Sequence, residues 1–377
     1  MSGGSSHPAR RFAVRAAALA VALAVVALAG GCAAGEAEGG GSATGESSPA
    51  VSESTAQRPP LALPGPTSPP SAWPGGLTPS VVIDAGDAPV GGIHAVEDAL
   101  WVIVDDHAVR IDPITGEQVS SFPVEPGSEA VAVAGDWLWV KGERSGMLAQ
   151  YRLPDGAPGI RMSAWMPSGL LVAHGSVWVS QHRQGTVLRI DPVTGDSTEV
   201  KVVAQGSSGP QSLLADDESV FVAVSRDNAL YRIDPTTEAV EKLQGDAYAC
   251  GGMAKVGQVV WGTGCFSGPW VAGFDTQTLQ PAGQIDLGDR FGESLALVDD
   301  RLWVSVAVEA VEGGQVVTSQ TGLALLDPAA HMVVRTFELL DGGGPMALAG
   351  DRLWVVGRTG NTILGFDTAD LAAAANG

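Results

Sequence analysis

A short motif recurs seven times along the chain: an aromatic residue flanked, in most copies, by branched aliphatic residues. The aromatic residues lie 38, 39, 43, 40, 42 and 51 residues apart. A repeat of about 40 residues is typical of a β-propeller, in which each repeat forms one blade and neighbouring blades bury each other's apolar faces. The copies are Leu100-Trp101-Val102, Leu138-Trp139-Val140, Val177-Trp178-Val179, Val220-Phe221-Val222, Val260-Trp261, Leu302-Trp303-Val304 and Leu353-Trp354-Val355.

A second motif, centred on an aspartate, follows the aromatic one in most copies. In Asp191-Pro192-Val193-Thr194-Gly195 the proline sets φ for the first turn position and the glycine tolerates positive φ, so the pattern predicts a tight turn. The carboxylate is expected to accept backbone N–H groups, the alternatives being a metal ligand or a general acid. The repeated aspartates are Asp112, Asp191, Asp234, Asp275, Asp327 and Asp367, and the second copy has Leu153-Pro154-Asp155 instead.

Each copy predicts four short strands, because apolar residues alternate and turn residues separate the segments. The seventh copy contains only three strands before an alanine-rich, low-complexity tail at residues 371–377. Its missing strand is available at the other end of the repeats, where Val81 to Ile83 can pair with the last blade and close the ring. We therefore predict an all-β fold, a seven-bladed propeller over residues 80–370.

Residues 1–31 have the features of a bacterial export signal. Arg10, Arg11 and Arg15 precede an apolar run from Ala16 to Ala29 that is too short to span a bilayer. The small residues before Cys32 resemble the lipobox of bacterial lipoproteins, although Leu28 stands one position further from the cysteine than is usual. The resemblance implies lipidation of Cys32 and a location on the extracytoplasmic side of the cell membrane. The alternative is an ordinary secretion signal with an incidental cysteine.

Residues 32–79 are expected to form a tether between the lipid anchor and the propeller. Gly, Ser and Pro supply 24 of the 47 residues that follow Cys32 in this segment. A flexible chain of that length has an r.m.s. reach of about 40 Å. The tether would hold the propeller near the membrane while letting it stand away from the surface.

The charge balance argues against nucleic acid as a partner. The chain has 21 Lys and Arg against 42 Asp and Glu, a formal net charge of -21, and phosphate backbones bind to basic surfaces. The sequence contains no nucleotide-binding, zinc-protease or serine-hydrolase motif. It predicts no catalytic residue, no resident metal and no cofactor, and it leaves the oligomeric state open.

Cys250 and Cys265 are predicted to form a disulfide. They flank a predicted two-residue turn at Gly257-Gln258 at equal distances along the chain, which would place them opposite each other in a hairpin. Facing residues in such a ladder lie within disulfide range. A disulfide agrees with export to an oxidising compartment; two buried free thiols are the alternative.

The combined pattern of apolar strand, turn, (Leu/Val)-Trp-Val, loop and (Arg)-Ile-Asp-Pro-x-Thr-Gly resembles bacterial YVTN-type seven-bladed propellers and the related streptogramin-lyase-like proteins. The resemblance covers Ser80 to about Asp370. It implies an exported propeller that serves as a binding scaffold. The lyase branch carries a Mg²⁺ site of paired histidines and glutamates, which has no match in this sequence, so no catalytic residue is carried over.

The two sides of a propeller carry different connections. The first–second and third–fourth strand turns lie on one side, here called the turn face, and the second–third turns and blade connections lie on the other, the loop face. The turn face is predicted to be an acidic, solvated surface. The loop face combines basic and aromatic residues, which suits an anionic or sugar-like ligand, unless these residues are merely scattered. The candidates are His107, Arg144, Trp165, His182, Arg183, Arg226, Tyr248, Trp270, Arg290 and Arg358.

A ring of residues near the mouth of the central channel is predicted from the repeat. Counting ten residues back from each aromatic residue gives three polar candidates, Glu129, Gln211 and Glu293, and counting seven back gives His94 as the single polar residue of a second ring. His94, Glu129 and Glu293 could together bind a divalent cation. The alternative is a channel histidine hydrogen-bonded to water.

The sixth copy contains an insertion, Ser305 to Thr321, that is either a β-arm projecting from the loop face or a flexible loop. Together these features predict a membrane-anchored lipoprotein whose propeller binds a protein or a cell-envelope ligand through the loop face. The alternative is a streptogramin-lyase-like or other metal-assisted enzyme that uses the central channel. A purely structural envelope protein is a third possibility.

Overall fold

The computed structural model describes residues 58–69, 73–96, 99–206, 209–225, 229–244, 249, 251–264, 268–312, 315–358 and 361–376. In these residues the chain forms seven four-stranded antiparallel sheets, each corresponding to one repeat. The predicted seven-bladed propeller is confirmed.

The strands follow the chain in blade order. The closing strand is β1 (Val81–Asp84), and blade 1 comprises β2 (Val90–Val96), β3 (Ala99–Val104), β4 (His107–Ile111) and β5 (Gln118–Pro123). Blade 2 comprises β6 (Ala130–Ala134), β7 (Trp137–Gly142), β8 (Met147–Arg152) and β9 (Ala157–Ser163). Blade 3 comprises β10 (Pro167–Ala173), β11 (Ser176–Gln181), β12 (Thr186–Ile190) and β13 (Ser197–Lys201). Blade 4 comprises β14 (Pro210–Ala215), β15 (Val220–Val224), β16 (Ala229–Ile233) and β17 (Val240–Gln244).

The remaining blades have the same arrangement. Blade 5 comprises β18 (Met253–Val256), β19 (Val259–Thr263), β20 (Trp270–Asp275) and β21 (Pro281–Asp286). Blade 6 comprises β22 (Phe291–Val298), β23 (Arg301–Glu312), β24 (Gln315–Asp327) and β25 (Met332–Leu339). Blade 7 comprises β26 (Gly343–Ala349), β27 (Arg352–Gly357) and β28 (Thr362–Asp367), together with β1.

The ring closes as predicted. Strand β1 pairs antiparallel with β28, from Val81 opposite Gly365 to Asp84 opposite Thr362. The first strand of the propeller is therefore the outermost strand of its last blade. This pairing covers an edge of β28 that would otherwise expose a row of unpaired backbone groups.

The repeated aromatic residues form the core between blades. Each of the seven is at most 3% exposed and packs against the second strand of the following blade. Trp354 of blade 7, for example, contacts the cluster that holds Leu100 and Val102 of blade 1. Because each aromatic side chain buries a large apolar area, this contact repeated around the ring holds the blades together.

The repeated aspartates are turn formers, with one exception. Asp191 Oδ1 accepts the backbone N–H groups of Val193 and Thr194 at 2.8 and 2.9 Å. The same pair of bonds recurs at Asp112, Asp234, Asp275 and Asp327. The exception is Asp367, which binds Arg352 and Ser80 instead.

The segment expected to be a free tether up to residue 79 differs from that expectation. From Arg58 on it lies against the propeller as a strap (residues 58–69 and 73–79). Thr67 forms a β-bridge with Val82, and Leu77 is 3% exposed in the cluster between blades 6 and 7. The apolar residues Leu61, Leu63 and Leu77, spaced among the prolines, pack against the blades. The overall composition of the segment does not reveal this packing.

The C-terminus also differs from the low-complexity tail predicted for residues 371–377. Thr368–Asn376 form a helix, α1. Leu371 is completely buried, and Ala374 and Ala375 pack against the same cluster as Leu77. Alanine favours helix more than any other residue, and one leucine anchors this helix to the propeller.

The insertion in blade 6 is a β-arm, one of its two predicted forms. Strands β23 and β24 stay paired as far as Glu312 opposite Gln315. Their neighbours stop earlier, since β22 ends at the pair Phe291 and Ala307 and β25 at the pair Leu339 and Thr321.

No helix in the described part of the chain is long and apolar enough to cross a membrane.

Candidate functional site

Among the described residues of the loop face, Trp165 is the most exposed aromatic one. It lies in the connection between blades 2 and 3, and its side chain is 65% exposed. Its backbone is held firmly, because Trp165 N donates to Gln181 Oε1 at 3.1 Å and the preceding Ala164 N donates to Gly146 O at 2.9 Å. A large aromatic ring is thus presented to solvent on a fixed backbone.

The same hydrogen bonds place Trp165 between two arginine-bearing turns. Gly146 belongs to the β7–β8 turn that carries Arg144, and Gln181 immediately precedes the β11–β12 turn that carries Arg183. Both arginines are exposed. Neither forms an ion pair with another described residue. We call Arg144, Trp165 and Arg183 the loop-face patch.

The other predicted loop-face residues do not join this patch. His107 is only 6% exposed, because the strap covers it and its Nε2 lies 3.0 Å from Pro59 O. His182 is half-buried, and its Nδ1 has no hydrogen-bond partner among the described residues. Trp270 is half-buried beside the core between blades 4 and 5. Arg290 pairs with the adjacent Asp289 at 3.1 Å.

Arg358 belongs to a separate ionic cluster at the mouth of the channel. Its guanidinium contacts the carboxylates of Glu293 on β22 and Glu309 on the arm. The Glu309 side chain is 6% exposed, and burial raises the pKa of Glu293 above its ordinary value despite the nearby Arg358 charge. Sequence reasoning identified Glu293 and Arg358 but missed Glu309, because only the arm's fold brings it to them.

The predicted channel-mouth ring lies at a recurring irregularity of the inner strands. In five blades the inner strand has a bulge there, for example between Pro210 and Leu213. Carbonyl groups of the ring accept hydrogen bonds from the preceding blade: Gly92 N donates to Glu129 O at 2.6 Å, and Gly252 N donates to Glu293 O at 2.7 Å. Gln211 O accepts a bond from Ser180 Oγ. The ring's backbone therefore joins adjacent blades.

The Glu129 carboxylate already has two partners in the structure. Its Oε2 lies 3.9 Å from Lys141 Nζ and 3.4 Å from Glu143 N. The Lys141 side chain is 7% exposed, and burial lowers the pKa of its amine. Glu129 thus compensates a buried lysine.

His94 lies directly opposite Trp101 in the β2–β3 pair, and the six equivalent positions hold Ala or Leu. Burial lowers the pKa of His94 to about 4, so the imidazole is neutral at pH 7. His94 and Glu129 do not meet Glu293 in one site: among the described residues no three His, Cys, Asp or Glu side chains are grouped closely enough to hold a metal ion.

Five of the predicted residues lie outside the described part of the chain: Cys32, Arg226, Tyr248, Cys250 and Cys265. The hairpin that flanks the two cysteines is described, with Val256 opposite Val259 and Met253 opposite Gly262 around the predicted turn. Nearer the cysteines, Gly251 N donates to Thr263 O at 3.3 Å.

Arginines on the turn face link adjacent blades, a role that sequence reasoning missed. Arg232 of blade 4 donates to Thr276 O in the turn of blade 5 at 3.0 Å. Arg352 of blade 7 reaches Pro113 O in the turn of blade 1 at 3.2 Å. For Arg232 a signal was present in the sequence, since an arginine precedes Ile-Asp-Pro in three copies, but its partner Thr276 lies one blade away. Arg352 precedes Leu-Trp-Val instead, so that motif does not point to it.

The turn face also contains a cavity of about 250 Å³ between blades 1 and 2. Its lining is largely apolar and includes Val96, Trp101, Arg110, Val133, Leu153 and Pro154. It forms where blade 2 replaces the usual Ile-Asp-Pro turn with Leu153-Pro154-Asp155. This cavity is on the side opposite the loop-face patch.

The architecture is similar to that of solved WD40-type propellers. The U3-55K structure aligns with a TM-score of 0.61 at 12% identity over 76% of this chain and 97% of that one. The crystal structure of the RRP9 WD40 repeats aligns with a TM-score of 0.62 at 12% identity, over 80% and 99% of the two chains. A chain of the Mitotic Checkpoint Complex aligns with a TM-score of 0.61 at 11% identity, over 80% and 95%.

At these identities the likeness concerns the fold alone. No protein-family model matches the sequence. No curated protein matches it either. The grouping with YVTN-type and streptogramin-lyase-like propellers therefore stays a prediction that rests on the repeated motifs.

Proposed function

We propose that the protein is a lipoprotein, anchored through Cys32 on the extracytoplasmic side of the membrane, whose propeller binds an anionic, sugar-containing polymer of the cell envelope through the loop-face patch. The observation that carries this proposal is the exposed Trp165 ring held between the turns of Arg144 and Arg183. An aromatic face binds the apolar face of a sugar ring, and guanidinium groups bind carboxylate or phosphate.

The charge distribution supports an anionic ligand. The whole chain has a net charge of -21, so a cationic site must be local and must use arginines that the protein itself does not neutralise. Arg152, Arg161 and Arg232 lie in ion pairs. Arg144 and Arg183 form no ion pair with any described residue, and this leaves both guanidinium groups available to a ligand.

Export and anchoring are supported by the sequence of residues 1–32 and by the cysteine pair. A Cys250–Cys265 disulfide would indicate an oxidising compartment. Peptide mapping without reduction, on protein secreted by a bacterial host, should yield one peptide pair joined through these two residues. Free thiols at both positions would contradict both the disulfide and this support for export.

Lipidation is tested on the full chain in a bacterial host. The wild-type protein should partition into the detergent phase and with the membrane fraction, and Cys32→Ala should remove it from both. Recovery of Cys32→Ala in the membrane fraction at the wild-type level would refute an anchor at this residue.

Binding is tested with the chain from Arg58 to Gly377, which includes the strap. The probes are polygalacturonate, a poly(glycerol phosphate) and neutral dextran, so that carboxylate, phosphate and uncharged polymers are compared. We expect binding to one of the anionic polymers that weakens as salt increases. Trp165→Ala and the double variant Arg144→Ala/Arg183→Ala should each weaken it by about tenfold or more, equivalent to about 1.4 kcal/mol.

Arg301→Ala is the matched control, because Arg301 is exposed on the turn face and has no ion pair among the described residues. It should leave binding unchanged. Equal losses from Arg301→Ala and the patch variants would mean that only overall charge matters. Binding of none of the three polymers would refute the proposed ligand class and leave a protein as the remaining partner of the loop face.

A further inference from the structure

The cavity between blades 1 and 2 lies where other blades make a contact across their junction. At four junctions on the turn face, a side chain of one blade binds an oxygen in the third–fourth strand turn of the next blade. The pairs are Gln150 with Pro192 O, Arg189 with Glu238, Arg232 with Thr276 O and Arg352 with Pro113 O. Leu153 holds the turn position of Pro113 and Pro192 in blade 2, and it lines the cavity of about 250 Å³.

Arg110 brings a positive charge to this cavity. It lies directly opposite Trp101 in the β3–β4 pair, and both residues line the cavity. Arg189 holds the same place in blade 3, opposite Trp178. There the guanidinium lies 5.4 Å from the centroid of the Trp178 ring, and Nη1 lies 3.4 Å from a carboxylate oxygen of Glu238 in the next blade. Blade 3 thus shows an arginine–carboxylate contact at the place that Arg110 occupies in blade 1.

The other walls of the cavity are mainly apolar and are fixed by the fold. Val133 and Leu153 pack partly against the apolar cluster that contains Trp101. The Leu153 backbone is joined to the first turn of its own blade, because its N–H donates to Asp136 O at 2.7 Å. A wall that is already formed binds an apolar group without the entropic cost of ordering a loop.

We propose that this cavity binds a small molecule in which one carboxylate is joined to a compact apolar body such as an aromatic ring. The carboxylate accepts charge-assisted hydrogen bonds from the Arg110 guanidinium. The apolar body packs against Trp101, Val133 and Leu153. The site lies on the side opposite the loop-face patch, and it requires neither the patch nor a lipid anchor.

The size of the cavity limits the ligand. A cavity of about 150 Å³ can hold benzene, and sites for larger ligands have volumes of about 300–1,000 Å³. At about 250 Å³, this cavity accepts one ring with a short side chain. A chain of several sugar rings is too large, so the ligand differs from the polymer proposed for the loop face.

The test compares four probes with the chain from Arg58 to Gly377. Hydrocinnamate has the proposed carboxylate and ring, hydrocinnamide and phenylpropylamine replace the carboxylate with a neutral and a cationic group, and acetate lacks the ring. NMR titration of labelled Val and Leu methyl groups measures binding and locates it. We expect hydrocinnamate to shift the methyl signals of Val96, Val133 and Leu153 and to bind about tenfold or more tightly than the amide. Phenylpropylamine and acetate should not shift these signals.

Arg110→Gln tests the guanidinium, and the substitution is tolerable because Gln150 holds the equivalent position opposite Trp139 in blade 2. The variant should bind hydrocinnamate within about twofold of the amide, because the gain from the charge-assisted bond is lost. Val133→Phe places a ring in the cavity and should abolish the binding of both probes.

Arg189→Gln is the matched control. It makes the same change at the same place of the repeat in blade 3 and removes the same charge, but Arg189 does not line the cavity. Binding of hydrocinnamate should therefore be unchanged. An equal loss from Arg189→Gln and Arg110→Gln would overturn the site in favour of an effect of net charge.

Two further results would overturn the proposal. Equal affinity of the wild-type chain for hydrocinnamate and hydrocinnamide would show that Arg110 does not recognise a carboxylate. Unshifted methyl signals of Val96, Val133 and Leu153 at about 10 mM hydrocinnamate would show that the cavity does not bind this class of ligand, since a useful site for so small a molecule binds below that concentration.

Discussion

The two faces of the propeller differ in where their charged side chains find partners. On the turn face, each of five repeated aspartates accepts two backbone N–H groups of its own turn, and arginines such as Arg352 bind the next blade. On the loop face, Arg144 and Arg183 are exposed beside Trp165. Charges of the first kind stabilise the fold, whereas Arg144 and Arg183 form no ion pair with any residue that the structure describes.

The difference follows from how the two faces are built. The turns between the third and fourth strands repeat one Asp-centred hydrogen-bonding pattern in five blades, so the same residue type satisfies the same backbone groups each time. Bonds from backbone N–H groups lower the pKa of Asp112, Asp191, Asp234 and Asp275, which keeps these carboxylates ionised. Connections on the loop face vary in length and can carry residues that the fold does not need.

Removal of the strap should have the largest effect, because the strap contacts blades 1, 6 and 7. A chain that begins at Ser80 should be less stable than one that begins at Arg58, because it loses the Leu77 side chain, whose burial alone is worth about 1.5–3 kcal/mol, and the hydrogen bonds from the strap to blade 1. Thermal unfolding measures the difference. Equal melting temperatures would mean that the strap lies on the surface without stabilising it.

A point substitution separates the strap's hydrogen bonds from its apolar contacts. Gln118→Ala removes the bonds to Leu61 and Leu63 and should cost about 1–2 kcal/mol in the chain that begins at Arg58. It should cost almost nothing in the chain that begins at Ser80. The neighbouring Glu117→Ala, at an exposed position of the same turn, should have little effect in either chain.

Arg352→Ala should have the next largest effect, because this side chain joins three parts of the ring. Its Nε donates to Asp367 Oδ1 at 2.6 Å and to Ser80 Oγ at 3.1 Å, and its Nη1 reaches the turn of blade 1. Loss of these charge-assisted bonds should destabilise the fold by about 2–3 kcal/mol.

Arg301 provides the control for Arg352, because it holds the same position before Leu-Trp-Val in blade 6 but is exposed. Arg301→Ala should change the free energy of unfolding by less than about 0.5 kcal/mol. If the two variants had the same melting temperature, the inter-blade bonds of Arg352 would contribute nothing measurable to the free energy of unfolding.

His94→Ala should change how stability depends on pH. The unfolded chain protonates this histidine near pH 6.5, whereas burial lowers its pKa to about 4 in the folded chain. The unfolded state therefore binds more protons between these values, and wild-type stability falls as the pH falls through this window. At pH 5 the penalty is about 2 kcal/mol, at 1.36 kcal/mol per pKa unit.

The variant is tolerable because alanine holds the equivalent position in blades 2, 5, 6 and 7. Melting curves of the two proteins at pH 7.5 and pH 5 measure the effect. The difference between wild type and variant should shift in favour of the variant at the lower pH. A difference that stayed constant would show that His94 titrates alike in the folded and unfolded chains.

The parts of the fold that the sequence predicted are those set by local, repeated chemistry. The aromatic period predicted seven blades, the Asp-Pro turns predicted the hydrogen bonds at Asp112 and Asp191, and the incomplete seventh copy predicted closure by β1. Each of these features depends on residues that are close in the chain or that recur at a fixed interval.

The parts that could not be predicted depend on contacts between distant residues. His107 was predicted to be a binding residue of the loop face. In the structure it is covered by Pro59, which lies 48 residues earlier in the chain. Leu61 and Leu63 sit in a proline-rich segment that composition assigned to the tether. The patch was predicted only as part of a longer set, because exposure of Trp165 and burial of its companions are set by packing.

The smallest effect on stability is expected for Trp165→Ala. The indole is 65% exposed, and the bonds that fix this residue come from its backbone, so its removal should change the free energy of unfolding by less than about 0.5 kcal/mol. Thermal unfolding of the variant beside wild type measures this. A loss above about 2 kcal/mol would show that the ring stabilises the loops around it, which would remove the main reason for assigning it to a ligand.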